Sequence, residues 1–336
     1  MNDYTKILGE NTGEIVLRPV LTPFAEAGNI RETRNLEARG SFGCLQLREI
    51  EGNDYLIRHY NFLLNQDDTL TFVEEKPALR LSLALKYSFH YKIEGLEEGV
   101  LHERGFNISY TPSLHQSLHL RANRHYSCVE FRLSISYLQQ LASYFPDVEL
   151  FLQTAGQQRP VFLNGINQVA SMEMLTIIDE ILYCTYPALI RKKYLGYKVK
   201  EILILALQKI VHPPAQKAVY LSERIASRIY EAREILSKDL SSNHTPAELS
   251  ARVGLSIYNL KKGFRAIYGL TVTDFLHEAR MQKARLLLSE TDLPVSRIAA
   301  ATGYSHPFAF SSAFKKYFGY TPSLVQKSRK QRFVYS

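Results

Sequence analysis

Tyr258, Lys261, Lys262 and Arg265 stand three and four residues apart in SIYNLKKGFRAIYG, the interval that gathers side chains on one face of a helix. The chemistry of that face suits duplex DNA. A lysine can bond guanine O6 and N7, a tyrosine can meet a phosphate or a thymine methyl, and the helix N-terminus opened by Ser256 favours a phosphate. Leu260 and Phe264 fall on another face of the same stretch and anchor it in a core. The plainer alternative is a solvated basic surface, which charge alone does not exclude.

The pattern is repeated about fifty residues later. AELSARVGLSIYNLKKGFRAIYGLTVTDF, residues 247–275, aligns with SRIAAATGYSHPFAFSSAFKKYFGYTPSLV, residues 296–325. Gly254 matches Gly303, and after one inserted residue Leu260, Phe264, Gly269 and Thr271 match Phe310, Phe314, Gly319 and Thr321. In the second copy His306 or Ser305 can cap, Pro307 suits a first turn, and Pro307, Phe308, Ser311 and Ser312 face outward. Phe308 has two readings, contact with a thymine methyl or packing. Lys315 and Lys316 read as phosphate contacts.

Each copy predicts helix, turn, helix. Thr245, Pro246 and Glu248 form a capping box with proline in the first turn. Gly254 can take the positive φ of a tight turn, and Ser256 caps the next helix. Gly263 is out of place: a mid-helix glycine costs roughly 1 kcal/mol against alanine unless a DNA backbone or another helix approaches closely. DFLHEARMQKARLLLSE contains no breaker, so one long helix should join the copies, with recognition helices in successive major grooves ~34 Å apart.

This DNA-directed module needs a basic surface, and charge segregates accordingly. Of 41 Lys+Arg and 33 Asp+Glu in the 336 residues, 18 and 9 fall in 223–336, a net +9 against −1 for the rest. Upstream, RHYNFLL, TLTFVE, LRLSLALK, FNISYTP, LHQSLHLRA and YSCVEFRLS alternate apolar and polar residues as half-buried strands do. They predict an antiparallel barrel or jelly roll. Three helices should follow, around Leu138, Ile178 and Leu203, with Pro146 and Pro187 as interruptions. The stripe Leu195, Val199, Ile202, Leu203, Ala206, Leu207 and Ile210 fits either a core face or a partner helix in a dimer. His212-Pro213-Pro214-Ala215-Gln216 reads as a linker.

Other chemistries are weaker. His115 and His119 on a strand would stand ~13 Å apart, too far to share one ion; His90 and His102 add no compact His-x-His pattern. No nucleophile elbow, phosphate loop, zinc-protease helix or dinucleotide fingerprint occurs, and three scattered cysteines build neither a disulfide framework nor a zinc module. Tyr87, Phe89, Tyr91, Tyr110 and Tyr126 are candidate effector contacts, although strand aromatics more often pack. The apolar run 202–207 is far below the ~20 residues that span a bilayer, and the first residues lack a secretion signal; a cytoplasmic protein is expected.

Over about one hundred residues, 229–330, the sequence resembles the AraC/XylS transcriptional regulators, through RMQKARLLL, IAAATGY, FKKYFGYTP and the spacing of the two helix-turn-helices. The resemblance implies a double helix-turn-helix that binds promoter DNA, contact with RNA polymerase, a preceding cupin-like effector domain and a helical dimerisation region. Three departures stand out: Ser312 where the family commonly has arginine, Val325-Gln326 in place of Tyr-Arg, and Ser250 for alanine. The second motif is therefore expected to read few bases.

The expected fold is α+β and multidomain: a cupin-like effector-binding β domain over 1–138, a helical dimerisation region over 139–211, a linker over 212–221 and an all-α double helix-turn-helix over 222–336. The expected protein is a homodimeric, effector-responsive activator with no cofactor or metal and no enzymatic activity. The alternatives are a ligand-gated repressor, a DNA-bending protein, or a cupin-type enzyme with a DNA-binding tail.

Overall fold

The computed structural model describes residues 5–20, 33–184, 186–211, 223–242 and 244–326. Two units divide the chain, Met1–Gln216 and Lys217–Ser336. The expected linker, 212–221, lies outside the described residues.

In the first unit two antiparallel sheets face each other. One has the order β10 (Gly99–Leu101), β9 (Phe89–Ile93), β12 (Leu114–Leu120), β7 (Asp68–Glu74), β1 (Lys6–Gly9), β2 (Gly13–Ile15). The other runs β14 (Val161–Phe162), β11 (Gly105–Thr111), β8 (Ala78–Lys86), β13 (His125–Leu133), β6 (Tyr55–Leu64), β5 (Gly43–Glu51), β4 (Thr33–Gly40), β3 (Arg18–Pro19), with β15 (Gln168–Val169) also on β11. Alternation along the central strands of the second sheet divides their side chains between two cores. From the second sheet, Leu45, Leu47, Tyr60 and Phe62 meet Leu70, Phe72, Phe89 and Leu118 of the first. Their neighbours Ile57, Leu81, Leu83, Val129 and Phe131 enter another core on the outer face.

Helices cover that outer face: α1 (Ile135–Ala142), α2 (Pro146–Gly156), α3 (Met172–Leu182) and α4 (Ala188–Val211). Among its described residues the first unit thus holds four helices after β13, not three, because Pro146 opens a helix instead of ending one. At the first helical position its missing N–H is no loss. β14 and β15, between α2 and α3, were too short to register as an alternating pattern. The stripe from Leu195 to Ile210 on α4 is buried with α3 and the second sheet in one core. It is a core face and is not free to meet a second chain.

His59 faces the helical side, where its Nε2 lies 2.9 Å from Ser127 Oγ. Burial, with Arg48 and His125 nearby, pushes its imidazole down to about 4. The folded state therefore keeps His59 neutral while the unfolded chain takes up a proton below about 6.5. The sign follows: stability should fall as pH drops from about 6.5 to about 4 and this loss should then level off, by about 3 kcal/mol in all. Urea midpoints of the parent and of His59→Gln, compared at pH 7 and pH 4.5, should show the variant losing less.

The second unit contains α5 (Glu223–Lys238), α6 (Pro246–Arg252), α7 (Ile257–Tyr268), α8 (Val272–Glu290), α9 (Val295–Ala301) and α10 (Pro307–Phe318). Helix α8 runs unbroken between the two motifs. Its first turns, through Val272, Phe275 and Leu276, complete the core of α5, α6 and α7. Its later turns, through Met281, Ala284 and Leu288, complete that of α9 and α10. Among the described residues no helix is long and apolar enough to cross a membrane.

Candidate nucleic-acid interface and interior cavity

Local chemistry marks where helices of the second unit begin. Thr245 Oγ1 accepts from Glu248 N at 3.2 Å while Glu248 Oε2 accepts from Thr245 N at 3.1 Å, so the capping box is closed. Gly254 takes φ +65° at the turn, and Ser256 Oγ accepts from Asn259 N at 3.2 Å to start α7. His306 is the residue before α10; its side chain makes no capping bond, and Pro307 opens the helix.

The two helices are counterparts residue for residue. Both have 12 residues and end on a left-handed glycine, Gly269 or Gly319. Both bury their fourth and eighth positions, Leu260 and Phe264 in α7, Phe310 and Phe314 in α10. What remains outward is Tyr258, Lys261, Lys262 and Arg265 on α7, against Phe308, Ser311, Ser312 and Lys315 on α10. Of these only Ser311 is half-buried; His306, Pro307 and Lys316 are exposed as well.

Tyr258 is 69% exposed and Lys262 Nζ lies 5.7 Å from its ring centroid. Phe308 is 84% exposed, so it is not a packing residue within its own unit. Among the described residues, no carboxylate pairs with Lys261, Lys262, Arg265, Lys315 or Lys316. The cationic ridge is uncompensated and open to an external polyanion.

Gly263 is explained by a neighbouring helix. A Cβ there would lie 2.6 Å from Ile229 Cγ1 on α5, and Ile229 is itself fully buried. Replacing Gly263 by Ala should lower stability by about 1 to 2 kcal/mol, overpacking outweighing the gain in helix propensity; thermal melts of the two proteins check it. Ser250 is likewise accommodated, its Oγ donating to Ala247 O at 2.8 Å. Gln326, in place of the common arginine, donates from Nε2 to Leu293 O at 2.7 Å. Val325 packs against the core of α8, α9 and α10.

In the first unit a cleft of about 700 Å³, its mouth included, opens between the two sheets. Phe62, Phe72, Phe89, Ile93, Leu114 and Leu118 form much of its apolar wall. Its polar side follows one rung of paired strands: Glu49, Arg58, Glu130, Ser82 and Asn107 stand opposite one another across β5, β6, β13, β8 and β11. Of these, Glu130, Ser82 and Asn107 line the cleft. Asn107 Nδ2 donates to Asn164 O at 2.8 Å and Asn167 Oδ1 at 3.1 Å.

Behind that rung lies a buried ion network. Arg58 Nε meets Glu49 at 2.7 Å, Arg58 Nη1 meets Glu74 at 2.7 Å, and Arg132 bridges Glu130 at 2.6 Å and Glu74 at 2.5 Å. Arg80 approaches Glu74 at 3.6 Å and Glu130 at 3.7 Å. Burial alone would raise the Glu74 carboxyl; Arg132 and Arg58 outweigh it and hold it below the usual range, at about 2. Thr5 bonds Glu74 and accepts from Arg58 Nη1, tying the start of the chain to the network.

Of the five expected effector aromatics, the structure brings Phe89 and Tyr91 to the cleft wall. Tyr110 sits in the core on the other face of the second sheet. Tyr126 is buried between the sheets, its hydroxyl accepting from Arg121 N at 3.0 Å, and Tyr87 packs beside it with ring centroids 5.6 Å apart. Missed in the sequence were Ser82, Asn107, Gln116, Glu130 and Asn167. For the four on strands the available signal was a polar residue at a position whose parity points inward; Asn167 lies in a loop and gave none. His115 pairs with Glu94 at 3.3 Å and His119 Nδ1 lies 2.9 Å from Thr69 Oγ1. Among the described residues no group of three His, Cys, Asp or Glu could hold a metal ion.

Residues 249–328 match the helix-turn-helix domain family, and residues 56–221 match the regulatory protein PchR N-terminal domain. Residues 249–328 thus carry a helix-turn-helix domain of the AraC type. The regulatory protein PchR of Pseudomonas aeruginosa is 32% identical over 129 residues, covering 38% of this chain and 43% of that protein. The arabinose operon regulatory protein of Escherichia coli is 31% identical over 119 residues, 35% of this chain and 37% of that protein. The aligned part of the chain thus spans about two fifths of these curated relatives. Among solved structures, the C-terminal domain of AraT, a response regulator from Geobacillus stearothermophilus, is 30% identical, covers 32% of this chain and 89% of that one, and has a TM-score of 0.30.

Proposed function

We propose that the protein is an effector-responsive transcriptional regulator. In this reading α7 and α10 enter successive major grooves of promoter DNA, and a small molecule in the cleft of the first unit sets the regulatory state. The observation that carries the DNA-binding reading is the pair of matched 12-residue helices, each projecting from a core with an exposed, uncompensated face. The N-terminal unit is taken as a cupin-like jelly roll, with Phe89 and Tyr91 retained as effector contacts and Tyr87, Tyr110 and Tyr126 set aside.

A homodimer is part of the proposal, on a surface other than the buried stripe of α4. Ile190, Tyr197 and Ile204 are 58%, 70% and 38% exposed at seven-residue spacing on α4, the repeat that lets one helix pack along another. Activation through RNA polymerase is the direction favoured by the family resemblance.

The direct experiment is to enrich binding sites from random duplex DNA with the full chain, then place such a site upstream of a reporter. Output should rise with the protein present. Unchanged or lowered output from an occupied site would replace activation by bending or repression, and failure to enrich any sequence would remove the DNA-binding reading itself.

Phe308 has its own expectation. It holds on α10 the place that Tyr258 holds on α7, with no polar atom, so it suits a thymine methyl. Replacing thymine by deoxyuridine within the α10 half of an enriched site should weaken binding several-fold, and Phe308→Ala should remove that sensitivity. Equal sensitivity in the variant, measured by fluorescence anisotropy, would show that Phe308 does not read the methyl.

A further inference from the structure

The chemical class of the effector can be narrowed, an inference that rests on the cleft being the sensor site. The lining holds one carboxylate, Glu130, with the phenols of Tyr60 and Tyr91 and the thiol of Cys128, and no lysine, arginine or histidine. Its Oε1 accepts from Arg132, whereas its Oε2 accepts no hydrogen bond from a described residue and lies 3.7 Å from Arg80. The lining groups Gln116 and Ser82 also make no side-chain hydrogen bond into the cleft among the described residues. Asn107 and Asn167 are committed to each other, to Asn164 O and to Val100 O.

Charge is already balanced behind the wall. Of the buried groups, three guanidiniums, Arg58, Arg80 and Arg132, face three carboxylates, Glu49, Glu74 and Glu130, while the half-exposed Arg34 meets Glu49 at 2.9 Å from the surface, where water screens it. A ligand bringing either sign of charge would be desolvated without a counter-charge, which is costly in an apolar surround. A neutral O–H or N–H finds an acceptor in Glu130 Oε2, and a charge-assisted bond of this kind is a strong one. Most of the remaining wall consists of rings and aliphatic chains, among them Phe62, Phe72 and Phe89, with the neutral side chains of Tyr60, Tyr91 and Cys128 adding no charge.

We propose that the cleft between the two sheets takes an uncharged, ring-containing molecule whose hydroxyl or N–H donor meets Glu130, and that it discriminates against carboxylate and ammonium analogues. The rings lie against the first sheet and the polar end against the rung of Glu130 and Ser82. A donor-free ether of the same skeleton keeps the apolar packing and forgoes the bond.

The test is isothermal titration of the full chain at pH 7.4 with four probes of one skeleton: 2-naphthol, 2-methoxynaphthalene, 2-naphthoate and 2-(aminomethyl)naphthalene. The expected result is tightest binding of 2-naphthol, with each of the others at least tenfold weaker. Gln116→Trp, which enlarges a half-buried wall residue, should abolish the 2-naphthol heat. Glu130→Gln should bring 2-naphthol to within threefold of the ether.

Tighter binding of the naphthoate or the ammonium probe would overturn the class while leaving the cleft as the site. Binding of 2-naphthol to Gln116→Trp as tightly as to the parent would place it outside the cleft and overturn the proposal. No heat from any probe would overturn the class and the sensor reading together. If Glu130→Gln fails to fold, the parent's preference for naphthol over ether still decides the role of the donor.

Discussion

Replacing Lys261, Lys262 and Arg265 together by Ala is expected to weaken binding to an enriched DNA site by about 10²- to 10³-fold near physiological salt. All three are exposed on α7 and none pairs with a carboxylate among the described residues, so their removal costs the fold little. Each phosphate left without its cation takes about 0.9 off the slope of log affinity against log salt. A side chain that reads a base and one that neutralises a phosphate are thereby separated. If all three meet phosphates the slope falls by about 2.7; if Lys261 or Lys262 bonds guanine, affinity falls more than the slope does. Anisotropy titrations at several salt concentrations check both quantities, and an unchanged affinity with an unchanged slope would remove α7 from the interface.

The other large effect lies inside the first unit. Glu74→Ala should destabilise it by about 3 to 5 kcal/mol, because Arg58 and Arg132 then keep buried guanidinium groups without their shared acceptor. Arg80 would lose its 3.6 Å neighbour as well. The same network predicts a less intuitive result for a full apolar replacement. A variant with Arg58, Glu74 and Arg132 exchanged together for well-packed apolar residues should recover part of the loss, since the desolvation cost of the ions disappears with them. Urea unfolding followed by a probe confined to the first unit measures both, and a Glu74→Ala protein as stable as the parent would mean that water reaches the network.

Why the helix-turn-helix repeat was readable in sequence, while the cleft was not, follows from the distances along the chain. The motif is built from local signals: the Thr245 and Glu248 box, Gly254 at φ +65°, and Ser256 three residues before the amide it caps. Nothing distant has to be known to read these. Gly263 marks the limit even there, because its partner, Ile229, is on another helix.

The cleft is assembled from many strands plus a loop asparagine, and its polar rung exists only once Glu49, Arg58, Glu130, Ser82 and Asn107 are paired in register. Of the aromatic candidates, Phe89 and Tyr91 lie in the cleft wall, but Tyr110 has the opposite parity on its strand and faces the helices. The stripe of α4 shows the same limit. Its apolar spacing is identical for a core face and for a dimer face, and only the packing of α3 and the second sheet against it decides.

The most direct test of the account is a hydroxyl-radical footprint of the full chain on an enriched site, repeated with Lys261→Ala/Lys262→Ala and with Lys315→Ala/Lys316→Ala. Two patches of protection about one helical turn apart are predicted per bound chain. The first pair of substitutions should fade one patch and the second pair the other. A single patch, or two patches that respond identically to both variants, would contradict a protein that reads DNA with two chemically different helices.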